Sequence, residues 1–108
     1  MAIVIPNRLL DGIILSFIKR NNFYSRVITE QAKAVFGISE PTIYPVLRRL
    51  RNNRFLSVYS RPFQGRTRNY YQITYSGKSE LKVIKKEWQI FSTKMNQVMG
   101  EENEQNNW

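Results

Sequence analysis

Apolar residues recur along this 108-residue chain with helical spacing in four stretches, and between the third and fourth they switch to a strand-like pattern. Leu9, Leu10, Ile13, Ile14, Phe17 and Ile18 form a broad apolar side after Pro6 and Asn7, predicting a first helix that ends near Arg20. After a turn at Asn21 and Asn22, with Phe23, Tyr24 and Ser25 leading in, Val27, Ile28, Ala32, Val35 and Phe36 repeat at helical spacing, and Gly37 suits the residue just past a helix end. Ser39, Glu40 and Pro41 then carry the signals of a helix start: a capping hydroxyl, a carboxylate at the positive end of the dipole, and a proline tolerated in the first turn. Ile43, Val46, Leu47 and Leu50 follow at i, i+3, i+4 and i+7, so this third helix buries one stripe and is expected to run to about Asn53, with Pro45 bending or tightening its first turn.

Asn52, Asn53 and Arg54 follow, and an Asn, the residue best able after Gly to take the left-handed conformation, is expected to end that helix. Residues 55–60 and 68–74 are rich in β-formers and read as two strands, with 61–67 as a loop carrying Pro62 and Gly65. From Tyr75 to about Met99 a long helix is predicted, with Leu81, Ile84, Trp88, Phe91, Met95 and Val98 spaced 3, 4, 3, 4, 3. About 24 residues at 1.5 Å each give ~36 Å, more than a small domain covers, so the seam is expected to meet a second subunit rather than fold back on its own core. Val83 and Ile90, one heptad apart on another face, are expected to dock the helix on its own domain or on the first helix. The fold class expected is mainly α (α+β): a winged helix-turn-helix over 1–74, a dimerisation helix over 75–99, and an acidic, Asn-rich, disordered tail over 100–108.

Charge turns this architecture towards a partner. Seventeen Lys and Arg stand against eight Asp and Glu, a net +9, and three of the acids lie in the tail, leaving the body at +12 before Gly100. Between Pro41 and Ser79 there is no acid, while seven arginines and Lys78 fall in that window. A solvated basic face is the bland reading. Arginines interleaved with tyrosines and a glycine-bearing hairpin favour phosphate contact and hence nucleic acid. On the face of the third helix opposite its apolar stripe stand Thr42, Tyr44, Pro45, Arg48 and Arg49, expected in a major groove, and Arg61, Arg66 and Arg68 of the hairpin are expected on the adjacent backbone or minor groove.

The chain has no cysteine and no histidine, which removes disulfides, thiolate chemistry, imidazole bases and the common zinc sites. Asp11, Glu30, Glu40, Glu80 and Glu87 form no converging pair, so no enzyme, metal or cofactor is expected. Pro6, Arg8, Asp11 and Lys19 interrupt the first twenty residues, and no stretch approaches membrane-spanning length, so a soluble cytoplasmic protein without membrane contact is expected.

The stretch Ser39-Glu40-Pro41-Thr42-Ile43-Tyr44-Pro45-Val46-Leu47-Arg48-Arg49-Leu50, with Gly65-Arg66, Tyr70-Tyr71-Gln72-Ile73-Thr74 and Gly77, resembles the PadR family of bacterial transcriptional regulators over roughly residues 8–95. The resemblance implies a homodimeric winged-helix repressor, with an N-terminal helix and a single C-terminal helix forming the dimer, binding double-stranded DNA at a dyad-symmetric operator. Some members release their operator to a phenolic acid or hydrophobic drug. On that basis Leu10, Ile14, Ile84, Trp88 and Phe91 are expected to line an aromatic-effector space between subunits, the alternative being that Trp88 only fills the interface. The chain departs from the family at Tyr24-Ser25-Arg26, where glycine usually separates two tyrosines, and at Asn53-Arg54, where glycine is favoured. A second class of function is a basic winged-helix adaptor for RNA or protein, with no effector.

Overall fold

The computed structural model describes residues 3–100; the acidic tail, including Trp108, lies outside the described residues. The elements run α1 (Asn7–Arg20), β1 (Phe23–Tyr24), α2 (Ser25–Phe36), α3 (Glu40–Asn52), β2 (Leu56–Phe63), β3 (Arg66–Ile73) and α4 (Tyr75–Met99). The predicted helices are all present within a residue of their expected bounds, because each has a continuous apolar stripe and a recognisable stop.

The helix-turn-helix is α2 and α3. Gly37 ends α2 in the left-handed region at φ 67°, its N–H bonded to the Lys33 carbonyl at 2.9 Å. Ser39 caps α3 by position only, since its hydroxyl pairs with that of Thr42 at 3.0 Å and makes no side-chain bond to the helix backbone. The first turn is tight: Thr42 N–H donates to the Ser39 carbonyl, three residues back. Ile43, Val46, Leu47 and Leu50 are fully buried, each contributing roughly 1.5–3 kcal/mol by leaving water. They meet Ile14, Leu15 and Ile18 of α1, Ile28 and Ala32 of α2, and Leu56 of β2 in one core.

Several expectations are corrected. Val35 is 63% exposed, because it points away from the stripe that Ile28 and Ala32 bury, whereas Leu15 is fully buried. Asn53 keeps φ −84°, and the left-handed residue is Arg54 at φ 63°. There Arg54 N–H bonds the Arg51 carbonyl and Phe55 N–H reaches back to Leu50, closing the helix end with two backbone bonds. Arg54 therefore occupies the position where a glycine would be least strained.

The sheet has three antiparallel strands in the order β1-β3-β2, one more than expected, since Phe23 and Tyr24 pair with Tyr71 and Tyr70. Two residues make a strand too short to leave a periodic signal. The hairpin is also longer than expected: β2 and β3 pair from Leu56↔Ile73 to Phe63↔Arg66, and the anticipated loop shrinks to Gln64 and Gly65, both with positive φ, as a type I′ turn requires. Pro62 is accommodated because β2 is an edge strand.

After Thr74 the chain turns into α4, with the Thr74 hydroxyl accepting from Gly77 N–H at 3.0 Å and donating to the Arg54 carbonyl at 2.7 Å. The start of α4 is thereby tied to the end of α3. Leu81 and Ile84 pack into the core against α1, where Gly12 allows the approach: a Cβ there would lie 2.8 Å from Ile84 Cγ2. Beyond Ile84 the helix leaves the body, giving an envelope of 64 × 28 × 20 Å. Val83 and Ile90, 47% and 51% exposed, are not buried against the body as expected.

Candidate nucleic-acid interface

Two basic surfaces adjoin across the fold. The first is the exposed face of α3, where Thr42, Tyr44, Pro45, Arg48 and Arg51 stand in solvent opposite the buried stripe. Arg48 and Arg51 are outside every ion pair among the described residues. Arg49 is different. Its guanidinium turns back to α1 and pairs with the Asp11 carboxylate, leaving the side chain 35% exposed. Residue 49 sits at the edge of the buried stripe, one position before Leu50, so it reaches α1 more readily than it reaches outward. Arg49, expected in the groove, thus ties α3 to α1 in this structure.

The second surface is the outer face of the wing. Alternation along β2 and β3 puts Leu56, Val58, Tyr71 and Ile73 towards the core and Tyr59, Arg61, Phe63, Arg66, Arg68 and Tyr70 on the other side. Arg61, expected in a loop, lies within β2 and is the cross-strand partner of Arg68. The rings form a ladder: Tyr59 stacks on Tyr70 at 5.5 Å, and Tyr24 of β1 meets Tyr70 edge-on at 5.8 Å. The arginines lie on it, Arg61 over Tyr59 at 5.5 Å and Arg68 over Tyr24 at 4.3 Å and over Phe63 at 3.7 Å. Sequence reasoning missed this ladder because it took 61–67 for a loop, and only a strand through Phe63 brings these side chains to one face.

At the other end, Arg8 on α1 clasps α4, its Nη1 donating to Glu80 at 2.5 Å and its Nε to Glu87 at 2.8 Å. These bonds, the one to Glu87 foremost, hold the guanidinium above its ordinary pKa, so it stays charged at any accessible pH.

Along α4 the heptad seam divides. Leu81 and Ile84 belong to the chain's own core, whereas Trp88 (46% exposed), Phe91 (54%), Met95 and Val98 face solvent, with Trp88 and Phe91 in ring contact at 6.3 Å. Leu10 and Ile14 are buried in the core with Ile84, so these three do not open onto a space shared with Trp88 and Phe91 within one chain. Leu10 instead borders an open surface hollow with Ile5, Phe36 and Thr42.

The described residues contain no His, Cys, Asp or Glu cluster able to hold a metal, and no helix long and apolar enough to cross a membrane.

Comparison with known proteins agrees with this geometry. A protein of Streptococcus mutans UA159 is similar in structure with a TM-score of 0.82 and 33% identity, over 93% of this chain and 95% of that one. A PadR family transcription regulator of Clostridium difficile R20291 is similar at TM-score 0.77 and 29% identity, over 84% and 98% of the two chains. Bacillus subtilis PadR in complex with operator DNA is similar at TM-score 0.61 and 25% identity, over 68% of this chain and 46% of that one. The family model for the transcriptional regulator PadR-like family matches residues 14–83, which span the core of α1, the helix-turn-helix, the wing and the docked start of α4. The chain thus belongs to the PadR-like family of transcriptional regulators and is not an enzyme.

Proposed function

We propose that the protein is a cytoplasmic repressor that binds a palindromic operator as a homodimer, and that a small aromatic compound releases it. The observation that carries this reading is the pairing of two features on one chain: a basic surface over α3 and the wing with no acid from Pro41 to Ser79, and an apolar half-helix on α4 without cover among the described residues. In this reading Thr42, Tyr44, Pro45 and Arg48 enter a major groove, and Arg61, Arg66 and Arg68 hold the neighbouring phosphates. The likeness to a PadR bound to operator DNA supports it.

Trp88, Phe91, Met95 and Val98 of two chains would cover one another, setting the recognition helices about one helical turn apart, ~34 Å. A planar aromatic bound between the two Trp88–Phe91 pairs would act as inducer only by favouring a spacing of the heads that does not fit DNA. Selection of bound sequences from random duplex, with structured RNA as competitor, tests the first part. A palindromic consensus is the expected result; equal binding to RNA and to scrambled duplex would replace this reading with the basic adaptor. Fluorescence of Trp88 in a Trp108→Phe background, titrated with planar aromatics and phenolic acids, tests the second. Saturable quenching that lowers operator affinity is expected, and its absence would leave a repressor without an effector at this place.

A further inference from the structure

Arg61 and Arg68 stand directly opposite each other on the outer face of the wing, and the ion pairs among the described residues, made by Arg8, Arg26 and Arg49, include neither. Like charges at directly opposed positions destabilise a strand pair. What holds them here is aromatic. The Arg68 guanidinium carbon lies 3.7 Å from the centre of Phe63 and 4.3 Å from that of Tyr24, so the cation is gripped by two ring faces. A guanidinium held by its faces keeps its N–H edges free, and those edges match two oxygens of one phosphate.

Tyr24 comes from outside the hairpin. It lies on β1, is the residue that caps the start of α2, and meets the ladder through Tyr70. Arg68 is therefore fixed relative to the helix-turn-helix as well as to its own strand.

We propose that Tyr24 and Phe63 are positioning residues that hold Arg68 in a phosphate-ready orientation, so that the wing grips the DNA backbone at a preset distance from α3. The inference rests on the proposed DNA-binding reading. Ordering a long arginine on binding weakens association, and an arginine already ordered escapes that loss. Arg66 is outside every ring contact of this face, and no preset geometry is assigned to it.

The test uses the full chain and duplex DNA carrying its selected site, with affinity measured across a salt series. Arg68→Ala is expected to lower the salt slope by about one, the signature of a lost phosphate contact. Tyr24→Leu and Phe63→Leu should each weaken binding roughly 3- to 10-fold, the range of one cation–π contact. Tyr24→Phe, which keeps the ring, should bind as the parent does. In an Arg68→Ala background, Tyr24→Leu and Phe63→Leu should have no further effect on affinity. Phe63 lies exposed beside the turn, so its variant remains informative if Tyr24→Leu fails to fold.

The proposal is overturned, with DNA binding intact, if the leucine variants bind as the parent does or if they weaken binding equally without Arg68. It is likewise overturned if Arg68→Ala leaves affinity and slope unchanged. Failure of the parent chain to bind any duplex would instead remove the reading beneath it.

Discussion

Arg49 of α3 is ion-paired to Asp11 of α1, the one contact between charged side chains that links the recognition helix to the rest of the body among the described residues. Asp11 is largely buried, so removing Arg49 strands a carboxylate, whereas removing Asp11 leaves a cation that can swing into solvent. Arg49→Ala is therefore expected to cost about 1–3 kcal/mol of stability and Asp11→Asn about 1 kcal/mol or less. Chemical denaturation measures both. For DNA, Arg48→Ala should lower the salt slope by about one or relax one base preference, and Arg49→Ala should do neither beyond the effect of lost stability.

Arg61 opposite Arg68 implies an exchange of stability for binding. Replacing Arg61 with Thr removes a like-charge pair and places a good β-former in an edge strand. The variant should melt higher, by the equivalent of about 0.2–1 kcal/mol, while binding DNA less tightly. A variant that binds more weakly and is also less stable would show that the Tyr59–Arg61 contact outweighs the repulsion.

Gly77 is required by close approach. A Cβ at this position would lie 2.1 Å from the Phe55 carbonyl oxygen and 2.8 Å from Ile73 Cγ1, and neither the backbone nor a core isoleucine can withdraw cheaply. Gly77→Ala gains helix propensity of about 1 kcal/mol but must push α4 off the sheet, for a net loss of about 1–3 kcal/mol. Thermal unfolding checks the sign.

Most of the architecture was legible because it depends on periodicities strong enough to survive local variation. Ile43, Val46, Leu47 and Leu50 could face only inward, and Gly37 could only stop a helix. The failures share a cause: they concern which neighbour a side chain finds. Arg49 resembles Arg48 in sequence, and only the position of Asp11, thirty-eight residues earlier, separates a tie from an exposed cation. The wing was misread because Pro62 and Gly65 signal a loop, whereas an edge strand tolerates the proline and a two-residue turn uses the glycine. The heptad seam was found as a pattern, but its division after Ile84 depends on Gly12, a residue of another helix.

The uncovered half of α4 carries the last prediction. Trp88, Phe91, Met95 and Val98 are each about half exposed, so covering them in two chains yields roughly 6–12 kcal/mol at 1.5–3 kcal/mol for a complete side chain. Losses on association amount to about 4–15 kcal/mol. The seam alone thus comes close to breaking even, and a tight dimer needs further apolar area. Ile3 and Val4, 76% and 88% exposed ahead of α1, offer further apolar area for it. Light scattering should give twice 12.9 kDa at micromolar concentration. Phe91→Glu, which places two carboxylates in the seam, should yield a folded monomer with an unchanged far-ultraviolet spectrum and sharply reduced affinity for a two-half-site operator. Replacing Ile3 and Val4 with Ser should shift the dimer equilibrium less far, visible as dissociation on dilution. A parent chain that stays monomeric at these concentrations would refute the dimer, and the operator should then contract to a single half-site.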